Sequence, residues 1–179
     1  EPSDIAIHGL TLSEERKMIQ KKICMLGSYG VGKTSLVSRF VHSIFSDTYQ
    51  TTIGVRVDRK RLTIDGNDLS MLLWDLHGDD QFQRVRANYL RGMSGYLLVA
   101  DSTRSQTLQV AQELHQLALD TVGAVPFLLL INKCDLVDQW ALDRDELQEL
   151  EQRQWTIHQT SAKTGKLVAE SFAFLAREI

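Results

Sequence analysis

The sequence is poor in cysteine, in long apolar runs and in any surplus of one charge. Its only two cysteines are Cys24 and Cys134, each inside an apolar or motif stretch. One disulfide is arithmetically possible, but two buried thiols in a reducing compartment fit better than a disulfide framework. No unbroken apolar run exceeds five residues, Phe127–Ile131 among them, far below the ~18 a membrane-spanning helix needs. No basic-then-apolar segment of the secretory type opens the chain. Twenty Lys+Arg against 23 Asp+Glu leave a formal charge of −3, which is no electrostatic footprint for nucleic acid or an acidic membrane. What is present is 43% apolar and 24% charged residues, the composition of a folded domain and not of a disordered chain. At ~150 residues per domain, 179 residues make about one. The expectation is a single soluble, cytoplasmic domain.

After residue 20 short β-type runs alternate with helical periods. Lys22–Leu26, Tyr96–Ala100 and Phe127–Ile131 are the near-continuous apolar runs of strands buried on both faces. Leu36, Val37, Phe40 and Val41 make one helical stripe. Leu108, Ala111, Leu114 and Ala118 make a second, and Val168, Phe172, Leu175 and Ile179 a third. Two strands flanking Asp65-Gly66 within 53–75 read as a hairpin. The alternation predicts an α/β fold with a mostly parallel sheet, one antiparallel hairpin strand and helices on both faces. Ligands of such sheets bind beyond the carboxyl ends of the strands. Residues 1–19 read as an N-terminal arm ahead of one domain over 20–179. Thr11-Leu12-Ser13-Glu14 has capping-box spacing for a short helix across Ser13–Gln20, while Met18 reads equally as a native start, preceded either by a cloning remnant or by the edge of an upstream segment.

Between the first strand and the first helix, Gly27-Ser28-Tyr29-Gly30-Val31-Gly32-Lys33-Thr34 fits G-x-x-x-x-G-K-[ST]. A chain of this length meets that pattern by accident about 0.6% of the time. Glycines let the backbone approach anionic oxygens, and the helix starting near Gly32 adds its positive end. Lys33 supplies a cation for β- and γ-phosphates, Thr34 a hydroxyl for Mg²⁺, and Ser35 follows in the same nucleotide-binding stretch.

Asn132-Lys133-Cys134-Asp135 follows the 127–131 strand. An ionised aspartate is acceptor-only, so Asp135 can take both the N1–H and the exocyclic amine of guanine, a pairing adenine cannot reproduce. Asn132 offers a donor for the guanine O6/N7 edge, and the Lys133 stem can cover the purine face. Ser161-Ala162-Lys163 follows a strand expected over Trp155–Thr160, with the Ala162 N–H aimed at the base oxygen. The base is therefore guanine. Thr52, in Thr51-Thr52-Ile53-Gly54, and Asp75 and Gly78, in Trp74-Asp75-Leu76-His77-Gly78, supply a hydroxyl, a carboxylate and an N–H to read Mg²⁺ and the terminal phosphate. A loop held by such contacts loosens when the phosphate leaves.

Taken together, these motifs resemble those of the Ras-superfamily small GTPases, closest to the Rab-like branch, over about residues 20–179. Thr52-Ile53-Gly54-Val55, Trp74-Asp75 with Phe82, and Tyr89-Leu90-Arg91-Gly92 are similar to Rab switch and interswitch patterns. The resemblance implies a P-loop fold of six strands and five helices, GTP/GDP and Mg²⁺ as ligands, and a magnesium set of Thr34, Thr52 and Asp75. It also implies that effectors and regulators dock through switch loops 43–53 and 76–92, with Trp74, Phe82 and Tyr89 in the docking neighbourhood. The resemblance further implies that Phe45, by position, packs on the guanine edge, the alternative being a core-facing aromatic. No cysteine follows Cys134, so no prenylation signal is present in this chain; the expectation is either a tail that was cut or a soluble protein, as bacterial Rab-like proteins would be.

Three departures bear on catalysis, which would draw on Lys33, Thr52, Gly78 and Asp79. Where the family has D-T-A-G-Q-E, this chain has Asp75-Leu76-His77-Gly78-Asp79-Asp80, so Asp79 replaces the glutamine that orients the attacking water. Two like charges about 5 Å apart at an effective dielectric of ~20 repel by roughly 3 kcal/mol, more than a plausible gain in basicity returns. His77 replaces a small residue and either fills space or leans towards the phosphates. Tyr29 is bulky for its loop position and either lies across the γ-phosphate or points outward. Arg56, Arg84 and Arg86 read as solvated charges. The function expected is a guanine-nucleotide switch with slow intrinsic hydrolysis, the alternative being a GTP-binding interaction module with negligible turnover. Single-turnover hydrolysis by Asp79→Gln is expected to exceed that of the parent; a parent equal or faster would remove the repulsion argument.

Overall fold

The structure is a computed structural model, in which residues 18–46, 54–76 and 87–179 are described. The elements are β1 (Ile19–Leu26), α1 (Lys33–His42), β2 (Val55–Ile64), β3 (Asn67–Leu76), α2 (Ala87–Leu90), β4 (Gly95–Asp101), α3 (Gln106–Val122), β5 (Phe127–Asn132), α4 (Arg144–Gln152), β6 (Ile157–Gln159) and α5 (Val168–Glu178), with one 3₁₀ turn at Val137–Gln139. The strands form one sheet in the order β2-β3-β1-β4-β5-β6. Only β2–β3 is antiparallel, turning at Asp65 and Gly66; the other pairings are parallel. This is the doubly covered α/β sheet that the apolar runs imply.

Strand residues alternate between two cores. Leu97 and Val99 of β4 join Ile23 and Met25 of β1 beneath α1 and α5. Tyr96, Leu98 and Ala100 join Cys24 and Leu26 beneath α2, α3 and α4. Because both faces are covered, β4 is buried along its whole length and needs no polar alternation. The three helical stripes face these cores as expected. Phe40 of α1 and Phe172 of α5 stack with centroids 4.0 Å apart, locking those two helices together. Cys24 and Cys134 are both buried free thiols. Among the described residues no helix is long and apolar enough to cross a membrane.

The structure corrects two boundaries. Ile19 and Gln20, expected to end a short helix, instead lie in β1 opposite Leu69 and Ser70 of β3: the neighbouring strand offers their backbone a ladder, and that pairing prevails over local capping propensity. Residues 13–17 of that helix lie outside the described residues. The last strand is narrower than Trp155–Thr160: its ladder register on β5 runs over Ile157–Gln159, with one flanking backbone hydrogen bond at Thr156 and one at Thr160.

The order of strands places the site. From β1 the chain crosses to β3 on one side and later to β4 on the other, which opens a crevice at the carboxyl end of β1. The Gly27–Thr34 loop leaves β1 there.

Phe172→Ala is expected to cost about 3–5 kcal/mol in denaturant unfolding, whereas Val57→Ala on the exposed face of β2 is expected to stay within ~0.5 kcal/mol. Equal losses would show that the α1–α5 stack does not carry the core.

Candidate nucleotide-binding site

The phosphate loop is shaped by close approach. A Cβ on Gly27 would sit 2.4 Å from the Val99 carbonyl oxygen, and one on Gly32 would sit 2.3 Å from Asn132 Nδ2. Only glycine lets the loop pass so near β4 and the Asn132 side chain. Gly32 also has a left-handed φ of 99° as it caps α1. The buried Lys33 folds back over the loop, its Nζ donating to the carbonyls of Gly27 at 2.8 Å and Ser28 at 2.9 Å. That brings its charge onto the concave side where backbone amides collect.

The base-side loops converge on the same point. The buried Asn132 amide donates through Nδ2 to the Val31 carbonyl at 2.9 Å. Its Oδ1 accepts from the Ala162 N–H at 3.2 Å and from the Thr160 hydroxyl at 3.4 Å. The groups expected to address the base edge, the Asn132 amide and the Ala162 N–H, thus contact each other and tie three loops together. Arg39 of α1 adds a brace: its Nε donates to the Ala162 carbonyl at 2.7 Å and its Nη2 to that of Lys163 at 2.5 Å. The same guanidinium lies over the Phe45 ring, 5.9 Å from its centroid. Phe45 packs on the core beneath α1 and α5, beside the Ser161–Lys163 loop through Arg39. The Ser161 hydroxyl accepts the Thr164 N–H at 3.0 Å, closing that loop on itself. Asp135 is half-buried in the turn after β5.

Lys133 sits at φ 66°, left-handed backbone that costs a non-glycine residue about 1–3 kcal/mol unless its surroundings fix it. They do so at both ends. Its carbonyl accepts the Ser102 hydroxyl at 3.0 Å, and its Nζ donates to Asp101 Oδ2 at 2.6 Å. Asp101, at the carboxyl end of β4, also accepts Arg104 Nε on Oδ2 at 3.0 Å and the Thr103 N–H and hydroxyl on Oδ1. Burial alone would push this carboxyl up, but the Lys133 and Thr103 hydrogen bonds outweigh it and hold Asp101 below the ordinary carboxylate range.

On the other side of the crevice the Thr34 hydroxyl donates to the buried Asp75 carboxylate. Burial pushes the Asp75 carboxyl above its usual range, against the opposing pull of the Thr34 hydrogen bond and of Lys33 and Arg56. A hard hydroxyl and a hard carboxylate side by side suit a Mg²⁺ that keeps its remaining positions for phosphate and water. These two residues fit the ion. Arg56 is an exposed residue whose Nε pairs with Asp58 at 2.8 Å. Thr52, His77, Gly78, Asp79, Phe82, Arg84 and Arg86 lie outside the described residues.

Asp101, Arg104 and Arg39 are the residues that motif reading missed. A polar triplet closing a wholly apolar strand, Asp101-Ser102-Thr103, was a usable signal for the first, by the rule of strand carboxyl ends. Nothing local marks the two arginines.

A family model described as Ras family matches residues 22–179. The chain is 33% identical to the rat Ras-related protein Rab-13 over 160 residues, covering 88% of this chain and 79% of that protein. It is 35% identical to the Drosophila melanogaster Ras-related protein Ral-a over 164 residues, 88% and 80% of the two chains. It is 34% identical to the Dictyostelium discoideum Ras-related protein Rab-1D over 163 residues, 88% and 78%.

The depressed Asp101 carboxyl makes a signed pH prediction. Its contribution is present above the unfolded value near ~3.9 and is lost as pH falls through the lower folded value. Asp101→Asn is expected to cost about 2 kcal/mol at neutral pH, discounted for the partial exposure of its two cationic partners, and the gap to the parent should begin to narrow below about pH 4. Urea unfolding of both proteins from pH 3 to 7 checks this; a gap that stays constant would assign the effect to something other than the carboxylate charge.

Proposed function

The chain belongs to the Ras family of small GTPases, Rab-like in its motifs, and from that premise we propose a cytoplasmic guanine-nucleotide switch that holds GTP or GDP with Mg²⁺ and hydrolyses GTP slowly when unassisted. The observation that carries the reading is convergence. The Gly27–Thr34, Asn132–Asp135 and Ser161–Lys163 loops are joined through the buried Asn132 amide, and the first of them ends in the Thr34–Asp75 pair.

In this reading the N–H groups of Tyr29, Gly30, Val31, Gly32, Lys33 and Thr34, with Ser35 behind them, line the phosphates, and α1 adds its positive end. Lys33 places its ammonium at the β- and γ-phosphates from its seat on the Gly27 and Ser28 carbonyls. Asp135 accepts the two guanine donors. Lys133 is held by Asp101, so its alkyl stem has a fixed course beside the base. Asn132 acts by keeping phosphate and base loops in register. Thr34 and Asp75, with Thr52 as third partner, would hold Mg²⁺, which when bound neutralises charge developing on the phosphate oxygens. Gly78 and Asp79 are assigned to the terminal phosphate from their sequence motif alone, with the Asp79 charge keeping unassisted hydrolysis slow.

Effectors and regulators would read loops 43–53 and 76–92. Trp74, two residues ahead of the second loop in sequence, is half-buried with the Lys22 ammonium 4.0 Å from its ring centroid. A second reading, a GTP-holding module with negligible turnover, draws on the Asp79 and Tyr29 departures; multiple turnovers of phosphate release at micromolar protein would exclude it.

Calorimetry on metal-supplied, nucleotide-stripped protein is expected to show binding of GDP and GTP in preference to ADP and ATP. Asp135→Asn should weaken GDP on the order of 100-fold, two charge-assisted hydrogen bonds being affected, and shift preference towards xanthosine diphosphate, whose 2-oxo group needs a donor. Absence of heat with guanine nucleotides, or no preference over adenine, would overturn the proposal.

A further inference from the structure

Arg104 lies in the turn between β4 and α3 and spends its guanidinium on two targets. Its Nε donates to Asp101 Oδ2 at 3.0 Å, and its Nη2 donates to the Tyr29 carbonyl oxygen at 2.7 Å. Asp101 cannot yield, because its side chain is 1% exposed and is also held by Lys133 and by Thr103. A planar fork seated on a fixed carboxylate has little freedom, so its outer arm fixes the direction of the Tyr29 carbonyl. That carbonyl shares one rigid peptide plane with the Gly30 N–H, and in a trans peptide the two point opposite ways. Holding the oxygen towards the β4–α3 corner therefore turns the Gly30 N–H away from that corner and towards the interior of the loop.

We propose that Arg104 is a positioning residue of the nucleotide site: it locks the Tyr29–Gly30 peptide so that the Gly30 N–H is pre-aimed at a phosphate oxygen, and it couples the phosphate loop to Lys133 of the base loop through Asp101. The inference rests on the reading of this crevice as a guanine-nucleotide cradle. Its physical content is preorganisation. A peptide free to rotate presents its oxygen to an anion part of the time, and that ordering has to be made good at each binding event. A peptide already clamped shows itself chiefly in slower release. Within the chain of contacts Tyr29–Arg104–Asp101–Lys133, Arg104 is the only link from the β4–α3 turn to the phosphate loop among the side-chain hydrogen bonds described.

The test uses the whole protein loaded with N-methylanthraniloyl-GDP and Mg²⁺ and chased with excess GDP. Arg104→Ala is expected to release the fluorescent nucleotide about 10–100-fold faster, the range that one hydrogen bond to a charged group supports. Arg104→Lys keeps a cation beside Asp101 but cannot span both targets. It should retain the parent's thermal midpoint and still release as fast as the alanine variant, so the proposal stays testable if Arg104→Ala folds poorly. Competition with GMP separates positioning from general destabilisation: a clamp acting on the phosphate loop should weaken GDP several-fold more than GMP. Release within twofold of the parent for both variants, or equal losses for GDP and GMP, would overturn this inference while leaving the guanine-nucleotide reading intact. A parent that binds no guanine nucleotide would overturn both together.

Discussion

The Asn132 side-chain amide is the point on which the site depends. It is a neutral group with donors and an acceptor facing opposite ways, buried where three loops leave three parallel strands. By donating to Val31 and accepting from Ala162 and Thr160 it makes the carboxyl ends of β1, β5 and β6 a single unit. The glycine at position 32 is required by this amide as much as by any phosphate, since a side chain there would occupy its space. A buried amide satisfied at both ends rigidifies what it joins, and one left half-satisfied would cost more than an apolar group of the same size.

A second, ionic tether runs parallel to the first. Asp101 gathers Lys133 and Arg104, and through Arg104 reaches the phosphate loop from the other side. Two links of different chemistry thus span the same gap: one neutral and enclosed, one charged and partly open to water. The ionic link fixes the strained backbone of Lys133, and so sets the approach of the base loop. On the far side Thr34 and Asp75 join α1 to β3, where burial raises the Asp75 carboxyl above its usual range. Arg39, lying over Phe45 and holding the carbonyls of Ala162 and Lys163, closes the remaining side.

Much of this was legible in the order of residues. A buried parallel strand writes itself as an apolar run, and a helix on one face writes itself as a stripe, so β1, β4, β5, α1, α3 and α5 could be read directly. The phosphate loop is legible because its chemistry is local: the proposed binding groups are backbone amides of adjacent residues, and Gly27, Gly30 and Gly32 fall within one short segment. The start of β1 and the extent of β6 were misjudged for the complementary reason. Their limits are set by what the neighbouring strand offers, as Ile19 and Gln20 opposite β3 show.

What the sequence determined unaided is the kind of chemistry, since phosphate and base recognition each sit in one short segment whose residue types and spacing carry the mechanism. What only the tertiary structure decided is how those segments hold one another. Asn132 as a tether between loops, Arg104 as a link to the phosphate loop and Arg39 as a brace on Ala162 are contacts across long chain separations. A hydrogen bond between residues far apart in sequence leaves no local periodicity behind it, so it becomes visible only when the sheet has placed its strand ends side by side.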